Sequence, residues 1–102
     1  MEQNRLRITG QVVTIHPVRV SPAGVPHFEL VLEHRSRQQE AGHWREARVR
    51  LKVMLSGEAW RALVATLAPG QRVIVEGFLA QASHRDPDSL VLQAQTLERQ
   101  DY

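Results

Sequence analysis

From Glu46 to Leu55 the chain alternates with period two: Ala47, Val49, Leu51, Val53 and Leu55 fall on one side, Glu46, Arg48, Arg50, Lys52 and Met54 on the other. Successive side chains of a strand leave opposite faces, so this segment is a strand with a core row and an outer row. It is the cleanest period-two pattern in the chain, as a strand with one buried face requires. Along the outer row Arg48, Arg50 and Lys52 recur about 6.6 Å apart at ~3.3 Å of rise per residue. A row of cations on that repeat suits a stretched phosphate backbone, although a solvated antiparallel face has the same look.

Other segments are read against this strand. Leu6 to Ile15 is a first strand interrupted by Gly10, and a glycine there marks a bulge or sharp bend. Pro17 ends it, and Val20 to Pro26 is a connection punctuated by Pro22, Gly24 and Pro26. His27 to Glu33 is a second strand with Phe28, Leu30 and Leu32 facing inward, followed by a polar stretch, Arg35 to Trp44, that is a loop or the tip of a long hairpin. After the third strand the period becomes helical from Ser56 to Leu67, with Ser56 as N-cap and Trp60, Leu63, Val64 and Leu67 as a core-facing stripe. Pro69-Gly70 stops it. Arg72 to Ala82 is a fourth strand with a second internal glycine, Gly77; Ser83 to Ser89 is a turn-rich loop, and Leu90 to Leu97 is a fifth strand. Five strands with one helix between the third and fourth predict an all-β, five-stranded OB-fold Greek-key barrel. No repeat or linker divides the chain, so residues 1–102 form one expected domain.

Charge is concentrated rather than large. The formal net charge is +2, yet His34 to Lys52 alone holds six basic residues against Glu40 and Glu46. Trp44 stands in the middle of that segment, either as a lid folded onto the barrel or as a stacking platform. Cations with a ring among them suit a polyanion with flat faces, and single-stranded nucleic acid is such a ligand. Twelve of the thirteen basic residues are arginine, whose planar fork stacks and binds phosphate, although G+C-rich codons also favour arginine.

Several functions are disfavoured. Without cysteine there is no disulfide framework or thiolate metal site, and the five histidines show no i, i+4 pairing, so neither metal nor cofactor is expected. No phosphate loop, zinc-protease motif or nucleophile elbow occurs, and no catalytic residue or small-molecule substrate is expected. The N-terminus has no secretory pattern and no apolar run approaches a membrane span, which makes the cytoplasm the default location.

Literal residues extend this reading. Asn4-Arg5-Leu6, the block Val20 to Gly42 and Val75-Glu76-Gly77-Phe78 resemble the PriB family of primosomal replication proteins, in register from about Asn4 to Glu98. The resemblance implies a homodimeric, non-catalytic OB-fold protein that binds single-stranded DNA. It also implies association with the PriA helicase at a stalled fork and help in recruiting DnaT, so that the replicative helicase is reloaded. Arg19 and Arg35 stand at basic contact positions of the family, and Phe78 at an aromatic one.

Three departures accompany it. Arg48 replaces a third-strand tryptophan, His43 replaces a loop phenylalanine with Trp44 one position on, and the lysine-rich loop is reduced to Arg85 with His84 against Asp86 and Asp88. The expected DNA-binding set is therefore Arg19, Arg35, Arg37, His43, Trp44, Arg48, Arg50, Lys52, Phe78 and Arg85. A protein-binding adaptor with weak DNA affinity is the other reading, because the depleted loop removes charge that a DNA ligand would use.

Overall fold

The computed structural model describes residues 1–100; the last two positions of the expected 1–102 unit lie outside the described residues. Its strands are β1 (Leu6–Ile15), β2 (Arg19–Val20), β3 (Pro26–Glu40), β4 (His43–Ser56), β5 (Arg72–Ser83) and β6 (Asp86–Arg99). They run in the order β1-β5-β6-β4-β3-β2, and a further β1–β3 pairing closes the five long strands into the expected barrel. β1 performs the closure by changing partners along its length, from β5 over Leu6–Gln11 to β3 over Gln11–Ile15.

Both internal glycines sit where a side chain has no room. A Cβ on Gly10 would lie 2.6 Å from the Glu33 carbonyl oxygen and 2.8 Å from Leu32 Cγ. The register shift of the β1–β3 ladder falls between Val12 and Thr14, so Gly10 serves the close crossing of two strands and the bulge lies beyond it. At Gly77 the β5–β6 register shifts, and a Cβ would meet the Gln93 carbonyl oxygen at 2.0 Å.

The core is apolar throughout, with Leu30, Leu32, Val53, Leu55, Val73 and Leu92 at no more than 1% exposure and no buried polar or charged residue among the described residues. Inward positions of every long strand supply it, as alternation requires. The expected core row of β4 is only partly right. Leu51, Val53 and Leu55 pack into or against the core, but Val49 is 39% exposed, because β3 and β4 continue together past the barrel wall.

That continuation corrects the largest misplaced boundary. The stretch Arg35 to Trp44 is the long-hairpin alternative: β3 and β4 pair without interruption from His27↔Ser56 to Glu40↔His43. Only Ala41 and Gly42 form the turn, with φ of 51° and 81°, and positive φ at both central residues is the tight-hairpin geometry whose twist matches that of strands. The segment Ser83 to Ser89 is likewise mostly strand around a turn at His84–Arg85, with Ser83 paired to Asp86. The expected connection overlaps at Val20 with the short β2, paired Arg19↔His27 and Val20↔Pro26.

The helix is shorter than its sequence pattern. It consists of a 3-10 turn, Glu58–Trp60, and an α turn, α1 (Arg61–Val64), with Gly57 rather than Ser56 at the N-cap. Ser56 ends β4, and its hydroxyl contacts His27 Nδ1 at 2.8 Å and accepts from Gln93 Nε2 at 3.0 Å. The apolar stripe still packs as expected: Trp60, Leu63 and Val64 lie against the core, and Leu67 is buried just past the helix.

Candidate nucleic-acid interface

The continuous β3–β4 ladder determines what shares a face. Lys52, Arg50, Arg48, Glu46 and Trp44 alternate onto the outer side of β4, opposite Val31, Glu33, Arg35, Arg37 and Gln39 of β3. From Lys52 to Trp44 this row covers about 26 Å at ~3.3 Å per residue. Arg35, Arg37, Trp44, Arg48, Arg50 and Lys52, six of the ten expected residues, therefore stand on one two-stranded surface, and all six are exposed.

At the far end Trp44 is 61% exposed, with the Arg37 guanidinium carbon 5.9 Å from its ring centroid. The lid alternative is thus ruled out in this structure, because a folded-down ring would be covered. Arg37 and Trp44 border an open depression of about 530 Å³ that Arg35 and Glu46 also line. A base entering there meets a ring face and planar guanidinium groups, both of which stack. Replacing Trp44 with alanine is expected to weaken oligothymidine binding by ~1–3 kcal/mol with the melting temperature nearly unchanged, as fluorescence titration and thermal melting would show.

Near the middle of the row Glu33 reaches two cations, with Oε2 3.1 Å from Arg50 Nε and Oε1 3.3 Å from Arg35 Nη2. Arg48 and Lys52 have no carboxylate within ion-pair distance among the described residues. Arg48 lies directly opposite Arg35, a like-charge juxtaposition that a sheet tolerates only with compensation nearby. Glu33 was not among the expected site residues. Its parity in β3 was legible, but its place between two arginines depends on cross-strand register.

The other four residues are placed differently. Arg19 pairs with His27 and so shares the outer side, eight residues back along β3 from Arg35. Phe78, half-buried, is opposite Gln93 of β6. The Gln93 amide donates to the Met54 carbonyl at 3.3 Å and to Ser56 Oγ, which places Phe78 on the same outer sheet surface, two strands from β4. His43 alternates to the opposite side of the hairpin, opposite Glu40 and next to Arg45, whose Nη1 is 3.3 Å from Glu40 Oε2. Arg85 is at the β5–β6 turn. Because β6 runs parallel to β4 over Lys52–Met54, that turn projects from the same end of the barrel as Ala41–Gly42.

Some charges elsewhere are paired locally. Arg7 pairs with Glu76 across β1 and β5. Arg61 hydrogen-bonds Glu58 at 2.6 Å, which holds the Glu58 carboxyl below its ordinary range, and its guanidinium carbon is 5.5 Å from the Phe28 ring centroid. No group of three or more potential metal ligands occurs among the described residues. No helix among them is long and apolar enough to cross a membrane.

Comparison with known proteins gives a consistent family signal. A model described as a single-strand binding protein family matches residues 4–96. The replication restart protein PriB of Photorhabdus laumondii is 42% identical over 99 residues, covering 96% of this chain and 94% of that protein. PriB of Yersinia pseudotuberculosis is 40% identical over the same coverage. Among solved structures, PriB from Ralstonia solanacearum superposes with a TM-score of 0.83 at 27% identity, over 98% of this chain and 100% of that one. The single-stranded DNA-binding protein of Thermus aquaticus has the same fold, with a TM-score of 0.78 at 22% identity, over 97% of this chain and 51% of that one.

Proposed function

Because the chain belongs to the PriB replication restart proteins within the single-strand binding family, we propose that it binds single-stranded DNA on the outer β3–β4 face as a non-catalytic accessory of the restart primosome. The observation that carries this reading is the continuous outer row, Lys52, Arg50, Arg48 and Trp44 facing Arg35 and Arg37. Phosphates lie along the cations, and a base stacks at the Trp44 end. Arg19 and Phe78 extend the same surface toward the opposite end of the barrel, while Arg85 approaches from the neighbouring hairpin. His43, on the reverse side, contributes to such a ligand only where the strand wraps around the hairpin edge.

PriA helicase and DnaT are the partners in this reading, and the cytoplasm is its location. A homodimer belongs to it as well: residues 6–8 of β1 have a strand on one edge only, before Thr9 and Gly10 meet β3, which leaves the other edge there for a second copy. Titration of labelled oligothymidine at several salt concentrations tests the central claim. Binding at micromolar protein that weakens with salt, as counterion release requires, supports it. Absence of binding at low salt would leave the adaptor reading, in which the basic face engages acidic protein surfaces. One observation favours that second reading: at the β5–β6 turn Arg85 has Asp86 next to it and Asp88 nearby, a poor phosphate contact.

A further inference from the structure

The centre of the basic row already holds an anion. Glu33 is opposite Arg50, its side chain is 21% exposed, and each carboxylate oxygen is taken by a different guanidinium. Arg35 and Arg50 each make one contact with it and remain 55% and 66% exposed. A carboxylate and a phosphate present similar pairs of oxygens to an arginine fork. Glu33 therefore occupies, from within the chain, the position that a bound phosphate would take between these two cations.

We infer that Glu33 is an internal competitor that sets the affinity of this face, an inference that rests on the single-stranded DNA reading. An incoming phosphate must draw Arg35 and Arg50 away from the carboxylate, and the displaced Glu33 then remains beside a polyanion. Both effects weaken binding, and both vanish when the side chain is neutral. Arg48 and Lys52, which flank this pair without carboxylate partners among the described residues, capture the ligand first. The exchange at Glu33 then determines how tightly it is held, so that the strand can be handed on rather than retained.

Glu33→Gln tests this directly. Its dissociation constant for oligothymidine is expected to fall about two- to fivefold at low salt, the upper part of the range for an exposed ion pair, and the log–log salt slope to steepen by about 0.7, one additional phosphate contact. Glu98→Gln is the control, since exposed Glu98 of β6 loses the same charge but lies outside the β3–β4 face and has no ion pair among the described residues; its gain should stay below about twofold, because a screened exposed charge contributes little. If E33Q does not fold, Glu33→Thr, a good strand former, carries the same expectation. Equal or weaker binding by a folded Glu33 variant overturns the inference and assigns Glu33 to holding the arginines in place. An equal gain from E98Q also overturns it, in favour of simple net charge. Wild-type protein that fails to bind oligothymidine at low salt overturns the DNA reading itself, a result distinguishable from either.

Discussion

Removing Arg48 and Arg50 together is expected to weaken oligothymidine binding about 60-fold at ~50 mM salt and only about tenfold at ~200 mM, the counterion term of two lost phosphate contacts on a single strand. Both side chains are exposed on the outer face of β4, two residues apart, so two alanines leave the core row untouched. Their loss should flatten the log–log salt slope by about 1.4, and the melting temperature should stay close to wild type. Arg50 also gives up its contact with Glu33. That contact is a surface ion pair worth ~0–1 kcal/mol, too little to unfold the barrel. Tight binding with an unchanged slope would place the ligand elsewhere on the protein.

The largest effect on stability is expected at Gly77. An alanine Cβ there would stand 2.0 Å from the Gln93 carbonyl oxygen, 2.9 Å from its carbonyl carbon and 3.0 Å from Ala94 Cα, all backbone atoms of β6. Backbone in the middle of a ladder does not yield as a flexible side chain does, so β6 must separate from β5 where Leu92 and Ala94 enter the core. Overpacking of this kind costs ~1–3 kcal/mol and more where nothing can give way. Gly77→Ala is therefore expected at the upper end, about 3 kcal/mol, or a fall of roughly 12–24 °C in melting temperature for a domain of this size. Gly24→Ala is the comparison, because at φ 83° it has no atom within 4 Å of the added methyl; its left-handed backbone strain alone costs ~1–2 kcal/mol. Equal melting temperatures for the two variants would show that β6 accommodates the methyl group.

The residues that made the fold legible are those that reach the core. Phe28, Leu30 and Leu32 in β3, and Leu51, Val53 and Leu55 in β4, alternate because one face meets other apolar strands. Residues 35–45 lie where the hairpin has left the barrel, and no core imposes alternation there, so polar residues occupy both faces and the segment has the composition of a loop. Its order comes from backbone ladder bonds and the Ala41–Gly42 turn, neither of which leaves a hydrophobic period. Ser56 misled for a related reason: a serine before a helical stripe has the signature of an N-cap, but here its hydroxyl faces His27 and Gln93 across the sheet.

Site residues followed the same division. Arg48, Arg50 and Lys52 were legible because the inner row of their strand was apolar. That Arg35, Arg37 and Trp44 join them, while His43 turns away, depends on parity through a segment whose strand character was hidden. Glu33 required more still, since only the pairing of β3 with β4 brings it to Arg50.

The exposed Val49 marks the point at which the hairpin loses support, and the consequence is a gradient of stiffness along the outer β3–β4 face. At Lys52–Met54 the β4 backbone is bonded to β3 on one side and β6 on the other, so its amides open only with the barrel. At Trp44 the backbone has a β3 partner alone, and segments held in this way open locally at much lower free energy. A ligand lying along the row would thus meet a rigid cationic anchor at one end and a pliant aromatic arm at the other, free to adjust its angle to whichever base arrives.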